Sequence, residues 1–145
     1  GQYDAIILAC AGLERLGLGE RISEKLDGPG WLPASTQGII GLQCRQADTT
    51  TRKLIEPLAD HGTGVVANAE RAVARVLEAT CQVPLAAHAV LDGDTVRLDA
   101  IVCTPDGTEK VKAGGEASSA NAVALGEQVA ADLLENGAGR IIASL

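Results

Sequence analysis

Among the residues able to do covalent chemistry, Cys81 stands apart. The cysteines are Cys10, Cys44, Cys81 and Cys103. Cys10 closes the run DAIILAC, Cys44 closes GIIGLQC, and Cys103 ends an alternating apolar stretch. These three read as strand residues, where a free thiol serves as a small core side chain. Cys81 follows a helical pattern and precedes Gln82-Val83-Pro84, which places it in a loop, and loops carry function more often than the elements they join. A thiolate there can act as a nucleophile, but no activating base stands beside it in the sequence. Spacing alone favours a partly buried spare thiol. His61 and His88 are far apart and read as structural or solvated. Asp92 and Asp94 fall in a turn, where Asp bonds the local backbone. Gly12, Gly17 and Gly19 do not make a phosphate loop. No CxxC pair or nearby His gives zinc-ligand spacing, so no metal is expected.

The elements that must position Cys81 follow from apolar periodicity. Ala69, Val73, Val76 and Leu77 predict an amphipathic helix leading into the loop Ala79-Thr80-Cys81-Gln82. Val83, Leu85, Ala87, Ala89 and Leu91 alternate as a half-buried strand does. Asp92-Gly93 signals a hairpin, and Val96, Leu98, Ala100 and Val102 form the return strand. Pro105-Asp106-Gly107 is a second turn and Lys110–Ala113 a third strand. Ser118 or Ser119 opens a last helix with the stripe Leu125, Val129, Leu133 and Gly137 as its C-cap. From about Thr63 the chain therefore reads as helix, three-stranded antiparallel sheet, helix: a small α+β domain able to bury one sheet face.

The first part reads as α/β pieces without closure of their own. Asp4–Cys10 and Gly38–Cys44 are predicted as strands buried on both faces, with a helical turn at Ala11–Gly17 between them. Asp27–Pro33 (DGPGWLP) is punctuation. Asp48 or Thr49 caps a predicted helix running to Asp60, and His61–Gly64 reads as a linker.

Composition narrows the function classes. The chain has 145 residues, 46% hydrophobic but only 1% aromatic, with Tyr3 and Trp31 the sole aromatic residues. Without stacking platforms, and with a net charge of -7, it is not expected to bind nucleic acid. No apolar run is long enough to cross a bilayer and no leader is visible, so no membrane partner or secretion is expected. Four cysteines could make two disulfides, but three sit in apolar strand-like runs as free core thiols would, so a reducing, cytoplasmic compartment is expected. The absence of Met fits a processed or excised piece.

An ordered set of blocks resembles hydroxymethylbilane synthase (porphobilinogen deaminase), in its C-terminal portion. Tyr3–Ala9 followed by Gly12-Leu13-Glu14-Arg15-Leu16-Gly17 looks like the stretch ending in GLxRLG. Leu32-Pro33-Ala34 with Gln37-Gly38 resembles LPAxxQG, and Gly41–Arg45 the G-(I/L)-E-C-R strand. Glu70-Arg71, Leu77-Glu78 and Cys81-Gln82-Val83-Pro84-Leu85 resemble the cofactor-attachment signature. Pro105-Asp106-Gly107 and the closing helix fit too, so the likeness covers essentially the whole chain.

The resemblance implies an enzyme, a transferase of porphyrin and heme biosynthesis. It condenses four porphobilinogen molecules into the linear tetrapyrrole hydroxymethylbilane with release of ammonia. Residues 1–62 would be pieces of periplasmic-binding-protein-like α/β domains, namely the end of domain 2 and the returning segment of domain 1. Residues 63–145 would be the C-terminal domain bearing the cofactor. Cys81 would hold dipyrromethane as a covalent thioether, trapping the electrophilic methylene left when ammonia departs. Arg15, in the GLxRLG match, would bind a substrate carboxylate through its forked guanidinium; on its own spacing it is equally a surface helix arginine. The family's catalytic aspartate lies in the other half, so no catalytic residue is expected here, and the chain alone is expected to be inactive without the N-terminal portion as partner. In a eukaryote the compartment would extend to mitochondrion or plastid. Two departures stand out: Ala79-Thr80 replaces small residues, often Gly-Gly, before the cysteine, and Thr36 replaces the first Gly of GQG. A β-branched Thr is strained wherever the backbone must be left-handed. The residues alone leave open a non-catalytic homologue serving as a structural or interaction module, or a small-ligand regulatory domain.

Overall fold

The computed structural model describes residues 2–27 and 30–145. The punctuating Gly28 and Pro29 lie outside the described residues. The chain divides into two compact units, Gly1–Trp31 and Leu32–Leu145.

In the first unit, α1 spans Cys10–Arg15 and ends where Gly17 takes a left-handed φ of 70°. The strand predicted for Asp4–Cys10 is not formed: residues 5–9 are unpaired, Ile6, Ile7 and Leu8 are exposed, and Cys10 opens the helix. A strand exists by pairing, and no described segment pairs with this one.

The second unit carries the hydrophobic core. Its first stretch repeats the same exception, because Gly38–Cys44 is not a strand and Ile40 is 85% exposed. The helix predicted from Asp48 is short. Asp48 caps α2 (Thr49–Ile55), accepting the Thr51 N–H at 3.0 Å. Pro57, which has no N–H to donate, then tightens the chain into a 3₁₀ turn at Glu56–Leu58. The predicted linker at His61–Gly64 is instead the first turn of α3 (His61–Val76), because the Asp60 carboxylate accepts the Thr63 N–H at 2.7 Å.

The sheet follows in the order β1 (Leu85–Asp92), β2 (Thr95–Cys103), β3 (Lys110–Ser118), with antiparallel pairs such as Ala89 with Leu98 and Leu98 with Gly115. β3 runs further than the predicted Lys110–Ala113, because Gly114 and Gly115 continue the pairing. A 3₁₀ turn at Ser119–Asn121 precedes α4 (Ala122–Glu135), which therefore starts later than Ser118 or Ser119. Gly137, at φ 102°, separates it from α5 (Ala138–Ala143). Helices α3 and α4 cover one sheet face. Val73, Val96, Leu98, Val102, Val129, Leu133 and Ile141 are fully buried there, filling a core with aliphatic side chains alone.

Candidate functional site

The connection from α3 to β1 carries Cys81, and its shape is set at both ends. Helix α3 has a buried stripe of Val65, Ala69, Ala72 and Val73, which fixes it against the sheet and α4. It ends in a Schellman motif: the Glu78 N–H donates to the Arg75 carbonyl at 3.1 Å and the Ala79 N–H to the Ala74 carbonyl at 2.9 Å. The left-handed position of that motif is Glu78, at φ 48°, where glycine is the unstrained choice.

Past the cap, Thr80 organises the turn. The Val83 N–H donates to the Thr80 carbonyl at 3.0 Å, and the Gln82 N–H reaches the Thr80 hydroxyl at 3.3 Å. Cys81 and Gln82 are the two central residues of that turn. Neither Ala79 nor Thr80 has a positive φ, so the departure from small residues brings no strain here, and the Thr80 hydroxyl adds a hydrogen bond. At the far end the Pro84 carbonyl accepts the Cys103 N–H at 3.2 Å, which ties the loop exit to the end of β2.

Cys81 is exposed, whereas Cys10, Cys44 and Cys103 are half-buried, and all four are free thiols. Cys103 alone of the remaining three lies in a strand; Cys10 opens α1 and Cys44 sits in unpaired extended chain. A polyanionic pyrrole group attached to a buried thiol would drag carboxylates out of water at a cost of several kcal/mol or more (~). The exposed Cys81 thiol carries no such penalty, so its turn fits a covalent group.

Arg15 is the last residue of α1 in the first unit. It is exposed and has no ion pair among the described residues, while the neighbouring Glu14 accepts from Lys25 Nζ at 2.9 Å. Cys81 belongs to the second unit. The exposed Arg71 and Arg75 lie one turn apart on α3, ahead of the Cys81 loop.

Glu70, which the sequence offers only as part of the block resembling the cofactor-attachment signature, is 4% exposed. Its Oε2 accepts the Thr36 N–H at 2.6 Å, and its Oε1 accepts the Ala89 N–H at 2.7 Å. These are charge-assisted bonds. One holds the turn at residues 35–38, and the other occupies a donor on the outer edge of β1. Removing either acceptor would leave a donor unmatched, at about 1–3 kcal/mol each. His88 Nδ1 stands 3.8 Å from Glu70 Oε1, beyond hydrogen-bond range. The signal was present in the sequence: Glu70 lies three and seven residues before Val73 and Leu77, on the apolar stripe where an acid must find partners. Thr36 has φ 60°, so the substitution of Thr for Gly does fall at a strained backbone position.

An open, mainly apolar groove of about 630 Å³ lies elsewhere in the second unit. Ile39, Ile40, Leu42, Ile55 and Leu58 line it and Cys81 does not. Among the described residues no three His, Cys, Asp or Glu side chains converge as a metal site, and no helix is long and apolar enough to cross a membrane.

Two family models match the chain. Residues 1–53 match "Porphobilinogen deaminase, dipyromethane cofactor binding domain", and residues 65–135 match "Porphobilinogen deaminase, C-terminal domain". Cys81 thus falls in the second match and Arg15 in the first. Curated proteins named porphobilinogen deaminase from Bordetella parapertussis and Bordetella bronchiseptica are each 47% identical over all 145 residues. The chain spans 46% of the length of each, about half.

Proposed function

The chain belongs to the porphobilinogen deaminase family, and on that premise we propose that it is the C-terminal portion of a hydroxymethylbilane synthase. The whole enzyme would condense four porphobilinogen molecules into hydroxymethylbilane and release ammonia. Cys81 would carry dipyrromethane as a thioether. The observation that supports this most is the Cys81 turn itself: an exposed thiol, held at fixed ends between α3 and β1.

When bound, the cofactor supplies the pyrrole on which the product chain is built. The part of this chain's residues is to hold it. The Cys81 sulfur would hold the group through a thioether at the methylene carbon from which ammonia has departed. Thr80 and Pro84 fix the turn through the bonds described above. The Arg15 guanidinium offers a planar fork to a pyrrole acetate or propionate, a geometry that an ammonium lacks. The description that names the cofactor covers residues 1–53, which supports a non-covalent role for that segment, with Arg15 in it.

The remaining assignments rest on the same reading. Residues 1–62 are the end of domain 2 and the returning segment of domain 1, in periplasmic-binding-protein-like α/β domains. Residues 63–145 are the cofactor-bearing domain. The exposed runs around Ile6–Leu8 and Ile40–Leu42 would become buried strands by pairing with the N-terminal portion, which also brings the catalytic aspartate. The four free thiols support a reducing, cytoplasmic location.

The test is the mass of the protein produced together with its N-terminal portion in cells that make porphobilinogen. A dipyrrole mass on the Cys81 peptide, absent in Cys81→Ser, is the expected result. A free Cys81 thiol in the assembled, folded protein would refute the assignment.

A further inference from the structure

We propose that Glu70 is a positioning residue for the Cys81 loop, acting through a carboxylate shared between two backbone amides. This inference rests on the reading of Cys81 above and adds a residue to it.

The geometry has three parts. Glu70 belongs to α3, the helix that leads into the loop. Its Oε1 is bonded to Ala89, in β1, the strand that leads out of it. The loop is therefore closed at its base by a bond between the elements on either side, in addition to the sheet and helix contacts. Its Oε2 holds Thr36, in the turn that enters the second unit. One buried side chain thus fixes the ends of the Cys81 connection and the incoming segment together.

Neither tie is replaceable by the surroundings. The Ala89 N–H points away from β2, since it donates to Glu70 and not across the pair with Leu98, and β1 is an edge strand whose other side has no strand partner among the described residues. Thr36 sits at a left-handed φ of 60° that a β-branched residue does not adopt unaided. The Glu70 bond is what holds it there. Loss of the carboxylate releases the turn toward an ordinary backbone conformation and frees the β1 edge in the same event. A thiol carried between α3 and β1 then loses its fixed base. A reacting group misplaced by about 1 Å is enough to lower turnover by up to roughly 10²-fold.

The experiment uses full-length protein, with wild type beside Glu70→Gln and Glu70→Asp. Gln keeps shape and one acceptor oxygen but presents an amide N–H where a backbone N–H also donates. Asp keeps the charge and shortens the reach. Intact mass measures loading of Cys81, steady-state kinetics give kcat and KM, and hydrogen exchange reads residues 34–38 and 79–89. In Glu70→Gln we expect Cys81 to be loaded, kcat to fall about tenfold with KM changed less than twofold, and amide protection to drop in both segments at once. Glu70→Asp should recover part of that loss. A loaded, folded Glu70→Gln protein with wild-type kcat would overturn the inference, as would lost protection in only one segment. If wild-type Cys81 carries no pyrrole, the reading of Cys81 fails. The exchange measurement then still decides whether Glu70 couples the two segments, with unchanged protection in Glu70→Gln counting against it.

Discussion

At Gly126 α4 lies close against the backbone of α3, and Gly126→Ala tests whether that contact sets the position of the helix before Cys81. A Cβ at Gly126 would run into the Ala69 carbonyl oxygen and lie 2.6 Å from the Ala72 Cβ. Carbon atoms rest at about 3.5–4.0 Å, so the helices must separate by roughly 1 Å or more. The obstacle is backbone and a methyl group, neither of which can swing aside. In a closed core such overpacking costs about 1–3 kcal/mol or more. Alanine's better helix propensity returns about 1 kcal/mol, leaving a net loss of about 2 kcal/mol at the upper end of that range. For a domain near 100 residues, each kcal/mol moves Tm by roughly 4–8 °C. The expected drop is therefore about 8–16 °C by thermal denaturation monitored by circular dichroism, with a parallel fall in the urea midpoint. A variant equal to or more stable than wild type would show that helix propensity outweighs the contact, and that α3 and α4 are not held at this distance by their backbones.

Other expectations follow from the same geometry. Glu78→Gly removes a left-handed side chain that costs about 1–2 kcal/mol, against about 0.5–1 kcal/mol of added chain entropy, so the urea midpoint should rise slightly; a fall would contradict the Schellman assignment. Bonds from the Thr63 backbone N–H and then the Thr63 side chain hold the Asp60 carboxyl below its ordinary value of 3.8. A depressed acid stabilises the fold above its unfolded pKa and loses that contribution as pH falls through the folded one. Asp60→Ala should therefore lower Tm at pH 7, with the difference from wild type closing below about pH 4; a constant difference across that range would rule out the cap. On the proposed reading, Arg15→Lys in the assembled enzyme should raise KM for porphobilinogen or stall elongation without changing Tm, and unaltered kinetics would return Arg15 to the solvated surface.

The second unit was legible in the sequence because its elements carry their own partners. Alternation over Val83–Leu91 and Val96–Val102 gave both faces of a hairpin, and Asp92-Gly93 gave its turn; all three are present, with β1 beginning at Leu85 and Val83 left in the Cys81 turn. The Leu125, Val129, Leu133 stripe is buried as read. Local chemistry decided the misses there. The apolar periodicity visible in the sequence begins at Ala69, so His61–Gly64 reads as a linker there, whereas the Asp60 carboxylate supplies the acceptor that starts the helix. The apolar runs Asp4–Cys10 and Gly38–Cys44 mislead for a different reason. Apolar composition marks burial, but a strand requires a neighbour, and no described segment supplies one. Cys81 was legible as a loop thiol, whereas the Glu70 clamp depended on contacts 34 and 19 residues away in sequence, which no local window contains.

The two departures from the family pattern turn out to be unequal in physical terms. Thr80 lies at ordinary backbone angles, and its hydroxyl closes the Cys81 turn, so the replacement of a small residue there is compatible with an ordered attachment loop. Thr36 does occupy a left-handed position, and the strain falls on the residue whose N–H meets the buried Glu70 carboxylate. A charge-assisted bond in a partly buried setting is worth more than one in water, which is how a β-branched residue is kept where glycine would sit freely. Thr36 and Glu70 are therefore one unit energetically: glycine at 36 would hold the turn with less help, and the threonine makes the turn depend on the acid. Dependence of that kind couples the incoming segment to the helix and strand that flank Cys81, and it places the coupling in a single side chain.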